Sequence, residues 1–117
     1  SAGYYLERLQ DEQRIRLQRS LPGSQISWFV MVVRLGDEYG VEDRDRILNA
    51  LREQGVGCSN YFPAIHLQPF YQERFGYRCG QFPVCEALCE RTVAMPFHGL
   101  LTEQEVEFAC QTLRQLL

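Results

Sequence analysis

Lysine is absent from the 117 residues, and all twelve basic residues are arginine. Lysine is among the commonest residues of soluble domains, so the gap constrains chemistry as well as composition. Reactions that need a lysine amine, Schiff-base formation with a carbonyl above all, are excluded from this polypeptide. Long apolar runs are missing too: Trp28 to Val33 is the longest, far too short to cross a bilayer. The arginines are dispersed and the net charge is −3, so no basic footprint marks a nucleic-acid or anionic-lipid partner. A glycine-rich phosphate loop is lacking, because Gly55-Val56-Gly57 is too short to form one. No nucleophile and base stand at an interpretable spacing. Ser1-Ala2-Gly3 runs into an amphipathic charged segment that lacks a signal-peptide pattern, and a cytoplasmic location is expected.

What is present begins with an odd set of five cysteines, Cys58, Cys79, Cys85, Cys89 and Cys110, which cannot pair completely within one chain. Their spacing lacks the twin CxxC of a zinc ribbon. Two readings stand: a metal site built from Cys79, Cys85 and Cys89 with His66 or His98, or reduced, small, buried residues of a cytoplasmic protein. The length suits one domain, able to bury roughly two-thirds of the surface its unfolded form exposes.

Residues 4–19 read as a first helix with Tyr5, Leu9, Ile15 and Leu17 as apolar contributors, broken by the polar stretch Gln10 to Arg14. Leu21-Pro22-Gly23-Ser24 ends it as a turn or linker. Trp28 to Leu35 is the clearest strand, apolar on both faces, which predicts cover on both sides. A second helix is expected at 43–54, with Ile47, Leu48 and Leu51 inward, Asp43 near its start and Gly55 as its stop. Val56 to Phe62 reads as a strand, Phe70 to Phe75 as a helical turn, Pro83 to Arg91 as a helix and Thr92 to Met95 as a short strand. Thr102-Glu103-Gln104-Glu105 is a capping-box signature opening the last helix, striped by Val106, Ala109, Cys110 and Leu113. This order predicts an α+β two-layer sandwich: a small, mostly antiparallel sheet of about three strands with helices on one face.

The stretch that could carry function is Ser59 to Pro69. Pro63 and Pro69 stiffen a backbone that presents Tyr61, Phe62 and His66. Such a loop makes a ligand wall, with rings for packing and O–H or N–H groups for hydrogen bonds. A histidine between Ile65 and Leu67 is more often a partly buried, hydrogen-bonded structural residue.

The succession Trp28-Phe29-Val30, Arg44-Asp45-Arg46-Ile47-Leu48, Leu51 to Val56, and Tyr61-Phe62-Pro63-Ala64-Ile65-His66-Leu67-Gln68-Pro69-Phe70-Tyr71 resembles the DegT/StrS family of sugar aminotransferases. So do Phe82-Pro83-Val84-Cys85-Glu86, Ala94-Met95-Pro96-Phe97 and Leu101-Thr102-Glu103-Gln104-Glu105-Val106. The likeness runs over about residues 26–117, with the proline–histidine segment its most specific part. Residues 4–19 resemble the helix that precedes it, which implies a linking helix and turn over 1–25 ahead of a domain over 26–117. The resemblance implies the C-terminal small domain of a fold-type-I enzyme. Such enzymes use pyridoxal phosphate to move an amino group from an amino acid to the keto group of a nucleotide-linked sugar. In that family the cofactor lysine belongs to the large N-terminal domain, and the enzymes are usually homodimers. The resemblance therefore implies that this chain binds no cofactor and is inactive alone. Its partners would be the N-terminal domain and the sugar nucleotide, with no nucleic acid and no membrane. By position it makes Tyr61, Phe62 and His66 the substrate-wall residues, touching the sugar nucleotide and moving no proton at the reacting carbon. The alternative is a stand-alone ligand-binding or regulatory α+β module that reuses the domain.

Overall fold

The computed structural model describes residues 1–117. In chain order it contains α1 (Ala2–Leu9), β1 (Ile15–Leu17), β2 (Met31–Leu35), α2 (Val41–Glu53), β3 (Ser59–Asn60), α3 (Pro69–Phe75), α4 (Pro83–Cys89), β4 (Thr92–Met95) and α5 (Glu103–Leu116); a 3₁₀ turn spans Ile65–Leu67. The sheet has four strands in the order β1-β2-β4-β3. Every neighbouring pair is antiparallel.

Register decides which side chains form the core. Met31 stands opposite Met95 and Val33 opposite Val93, while Ile15 faces Leu35 across β1 and β2. Successive side chains on a strand alternate between faces, so these six share one side of the sheet. Against them pack Tyr5 and Leu9 of α1, Ile47, Leu48 and Leu51 of α2, and Val106, Ala109, Cys110 and Leu113 of α5, all buried in one cluster. The spacing of these positions is that of a single helical stripe, which is why the three helices lie on the same face. The expected α+β two-layer architecture is what the chain adopts.

The first segment departs from its expected form. One helix over 4–19 is replaced by α1, a polar reversal and β1, which adds a fourth strand to the three expected. The physical cause lies in the polar stretch. The Glu12 carboxylate accepts from the Arg14 backbone N–H at 3.0 Å, and from its Nε and Nη2, each at 2.7 Å. That contact holds the Glu12 carboxyl down at about 2 and turns the chain, so Ile15 meets Leu35 as a strand. The other strands are shorter than the sequence pattern suggests. β2 begins only at Met31, leaving Phe29 outside it and 78% exposed, and β3 keeps two residues of the seven expected. The expected double-sided cover of 28–35 is thus incomplete: Met31, Val33 and Leu35 face the helical layer, whereas Val32 and Arg34 border an open cleft.

The last helix starts as its sequence signature requires. Thr102 Oγ1 accepts from the Glu105 N–H at 3.2 Å, and the Glu105 carboxylate accepts from the Thr102 N–H at 2.8 Å. That bond and the Thr102 hydroxyl hold the Glu105 carboxyl below its usual range. Thr102→Ala removes the cap and is expected to cost about 1 kcal/mol, read as a lower urea midpoint with an unchanged m-value.

Candidate functional site

The chain from Tyr61 to Phe82 builds a hollow lined with rings. Pro69 opens α3, and Gly76 closes it in the left-handed conformation at φ 68°, which sends the chain back toward the 3₁₀ turn. The rings then pack in series: Tyr71 on Phe75, Phe75 on Tyr77, and the edge of Tyr77 against Phe82 at 5.6 Å. Phe82 meets His66 at 4.8 Å with the planes 66° apart. Such edge-to-face contacts satisfy the ring quadrupoles and make the assembly stiff. The hollow measures about 600 Å³, and Tyr61, Phe62 and His66 all line it. The structure therefore brings the three predicted wall residues together.

They are not equivalent. Tyr61 and Phe62 stack at 4.8 Å, and Phe62 is 65% exposed. His66 is 8% exposed and engaged from within: its Nε2–H donates to Glu86 Oε1 at 2.8 Å. Glu86 is the hub that sequence reading missed. Its carboxylate also accepts the Gly80 N–H at 2.9 Å on both oxygens, the Phe82 N–H at 3.4 Å and the Cys79 thiol at 3.3 Å. His66 above all, then the Gly80 N–H, holds the Glu86 carboxyl down at about 2. An ionised carboxylate only accepts, so the His66 Nε2 carries the proton of this contact. One sequence signal for Glu86 existed, an acidic residue in the first turn of a helix opened by Pro83. Its pairing with His66, twenty positions upstream, had no sequence signal.

The cysteines separate. Cys110 lies in the core, where burial raises its thiol to about 11, and the Cys58 thiol donates to the Leu48 carbonyl at 3.4 Å. Glu86 raises the Cys79 thiol, and burial first raises Cys89, which neighbours Cys85 on α4. No three His, Cys, Asp or Glu side chains are grouped to hold a metal, and His98 lies apart at the surface. No helix is long and apolar enough to cross a membrane.

A four-stranded antiparallel sheet with α1, α2 and α5 packed on one face is the architecture of a fold-type-I aminotransferase-like domain. More narrowly, the chain belongs to the DegT/DnrJ/EryC1/StrS aminotransferase family, which it matches over residues 1–114. It is 36% identical over 64 residues to the uncharacterized protein MJ1066 of Methanocaldococcus jannaschii, covering 55% of this chain and 17% of that protein. To the spore coat polysaccharide biosynthesis protein SpsC of Bacillus subtilis it is 24% identical over 92 residues, covering 78% of this chain and 24% of SpsC. Among solved structures, Helicobacter pylori PseC, an aminotransferase involved in the biosynthesis of pseudoaminic acid, superimposes with a TM-score of 0.86 at 16% identity, over 98% of this chain and 30% of PseC. The chain thus spans less than a third of each of these proteins.

Pyridoxal phosphate, the cofactor that family resemblance implies, is held as a Schiff base by a lysine amine. The donor set here does not fit that task, because no residue of the 117 is lysine. What the chain offers is apolar wall and fixed hydrogen-bonding groups.

Proposed function

We propose that this chain is the C-terminal small domain, residues 1–25 giving it α1 and β1 and residues 26–117 the rest, of a pyridoxal-phosphate-dependent aminotransferase acting on nucleotide-linked keto sugars. By itself it is inactive. A large N-terminal domain supplies the lysine, and the parent enzyme is a cytoplasmic homodimer. The observation that carries this reading is the ring-lined hollow, open at Tyr61 and Phe62 and braced from behind by the His66–Glu86 pair. Tyr61 and Phe62 provide ring contact to the sugar nucleotide, and the His66 ring, held by Glu86, packs beside it. The exposed rings of Phe70 and Phe75 form apolar surface of the kind that subunit or domain packing covers.

Two measurements test it. Pyridoxal phosphate added to the isolated chain is expected to produce no visible absorption band of a protein-bound Schiff base; a stable band would overturn the account. The coding sequence upstream of Ser1 is expected to run through a cofactor-binding domain with a lysine. A stop codon directly upstream would favour a stand-alone ligand-binding module instead.

A further inference from the structure

A second cleft lies on the face of the sheet opposite the helical layer, between the outer side chains of β1 and β2 and the exposed side of α4. It measures about 910 Å³ and is mostly apolar, with Val32, Phe82, Val84 and Leu88 among its walls. Two of its lining side chains are cationic, Arg16 and Arg34. They are Cα partners across β1 and β2, so both side chains leave the same face of the sheet. Like charges directly opposite one another repel, and a natural sheet rarely keeps such a pair without a reason.

Three further observations show an unmet demand for negative charge. The chain has fifteen acidic residues against twelve basic ones, yet no Asp or Glu lines this cleft. Arg16 has only carbonyl acceptors, those of Gln13 at 2.7 Å and Ile15 at 3.0 Å. Arg34 gives Nη2 to Asp37, a residue of the following turn whose side chain is 84% exposed, while its buried Nε has no acceptor at all. A buried guanidinium N–H is seldom left unpaired, because its lost hydration is then uncompensated. A pair of forked donors beside an apolar trough suits an oxyanion attached to an organic body.

We propose that this cleft is an oxyanion subsite, in which Arg16 and Arg34 receive the phosphate or carboxylate of a ligand whose organic part lies against Val32, Phe82 and Val84. Tyr61 lines both this cleft and the ring-lined hollow, so a single ligand spans the two. The proposal deepens the aminotransferase reading, and rests on it for the choice of candidate anions: the diphosphate of a sugar nucleotide or the carboxylates of an amino donor.

Calorimetric titration of the 117-residue chain at low ionic strength with inorganic pyrophosphate, a nucleoside diphosphate and glutamate distinguishes the two sources. Saturable binding of the first two but not glutamate identifies a phosphate subsite, and the converse a carboxylate subsite. In either case Arg16→Met and Arg34→Met are each expected to weaken binding by about tenfold or more. Arg34→Lys keeps the charge, loses Nε, and should fall between. Arg16 is exposed on an edge strand, so Arg16→Met keeps the fold and decides the matter even if the Arg34 variants do not fold. Binding of none of the three at millimolar concentration assigns the cleft to apolar packing and overturns the proposal. So does binding that Arg16→Met leaves unchanged while circular dichroism is also unchanged. The two readings fail separately: a stop codon upstream of Ser1 removes the aminotransferase parent and leaves arginine-dependent binding standing. Loss of that binding beside an intact upstream domain removes only the subsite.

Discussion

Tyr5→Ala is expected to destabilise the chain by roughly 3–5 kcal/mol, as for other large aromatic-to-alanine changes in a core. That is a large part of the ~5–15 kcal/mol by which a domain is usually stable. Tyr5 has no exposed surface, and it packs from α1 into the cluster formed by the sheet and α5. Its hydroxyl donates to the Pro96 carbonyl at 2.8 Å, which ties the first helix to the chain just beyond β4. Burial, with a smaller effect from Cys110, pushes its phenol well above the ordinary range, so it stays neutral at any working pH. Tyr5→Phe separates the two contributions: it keeps the ring and should cost only about 0.5–1.5 kcal/mol for the hydrogen bond. Urea denaturation of both variants gives the comparison. A loss under about 1 kcal/mol for Tyr5→Ala would mean that α1 is not part of the cooperative core.

Glu86→Ala is expected to open the ring-lined hollow while sparing the rest. His66, Gly80, Phe82 and Cys79 all donate to that one carboxylate, so its removal leaves the 3₁₀ turn, the 76–82 loop and α4 without a common acceptor. Hydrogen exchange should show faster exchange at Gly80 and Phe82 with α5 still protected. Equal loss of protection across α5 would refute a local role. Acid should reproduce the effect in wild type. The folded-state carboxyl sits at about 2, below its ordinary 4.5, so the folded state binds fewer protons than the unfolded state between those values. The stabilisation it brings is complete above about pH 4.5 and is lost as pH falls through about 2. Glu12, held at about 2 by Arg14, weakens in the same window. Glu86→Ala should therefore flatten part of the acid limb of the wild-type stability profile.

These two tests bear on regions that differed in legibility. The start and inner face of α5 were readable because their determinants are local: the Thr102–Glu105 box and an apolar stripe with helical spacing. β4 was readable for a similar reason, a short β-branched run stopped by Pro96. β1 was not, since three residues beyond a polar stretch carry no periodicity of their own and become a strand only by pairing with β2. For the site, the prolines and rings of 61–69 announced a stiff aromatic wall. They could not announce that His66 faces inward onto Glu86, because a contact across twenty positions leaves no trace in spacing.

The absence of lysine, by contrast, needed no fold: no arrangement of these side chains supplies the amine that cofactor anchoring demands. The two-layer class followed from the order and stripes of the elements, since an apolar face must be buried against something. Tertiary structure alone decided the strand register. Register placed Arg16 opposite Arg34, put six apolar side chains under the helices and left Val32 at an open cleft. The reason is that side-chain direction in a strand alternates with period two, so a one-residue shift in pairing would send each of these groups to the other face.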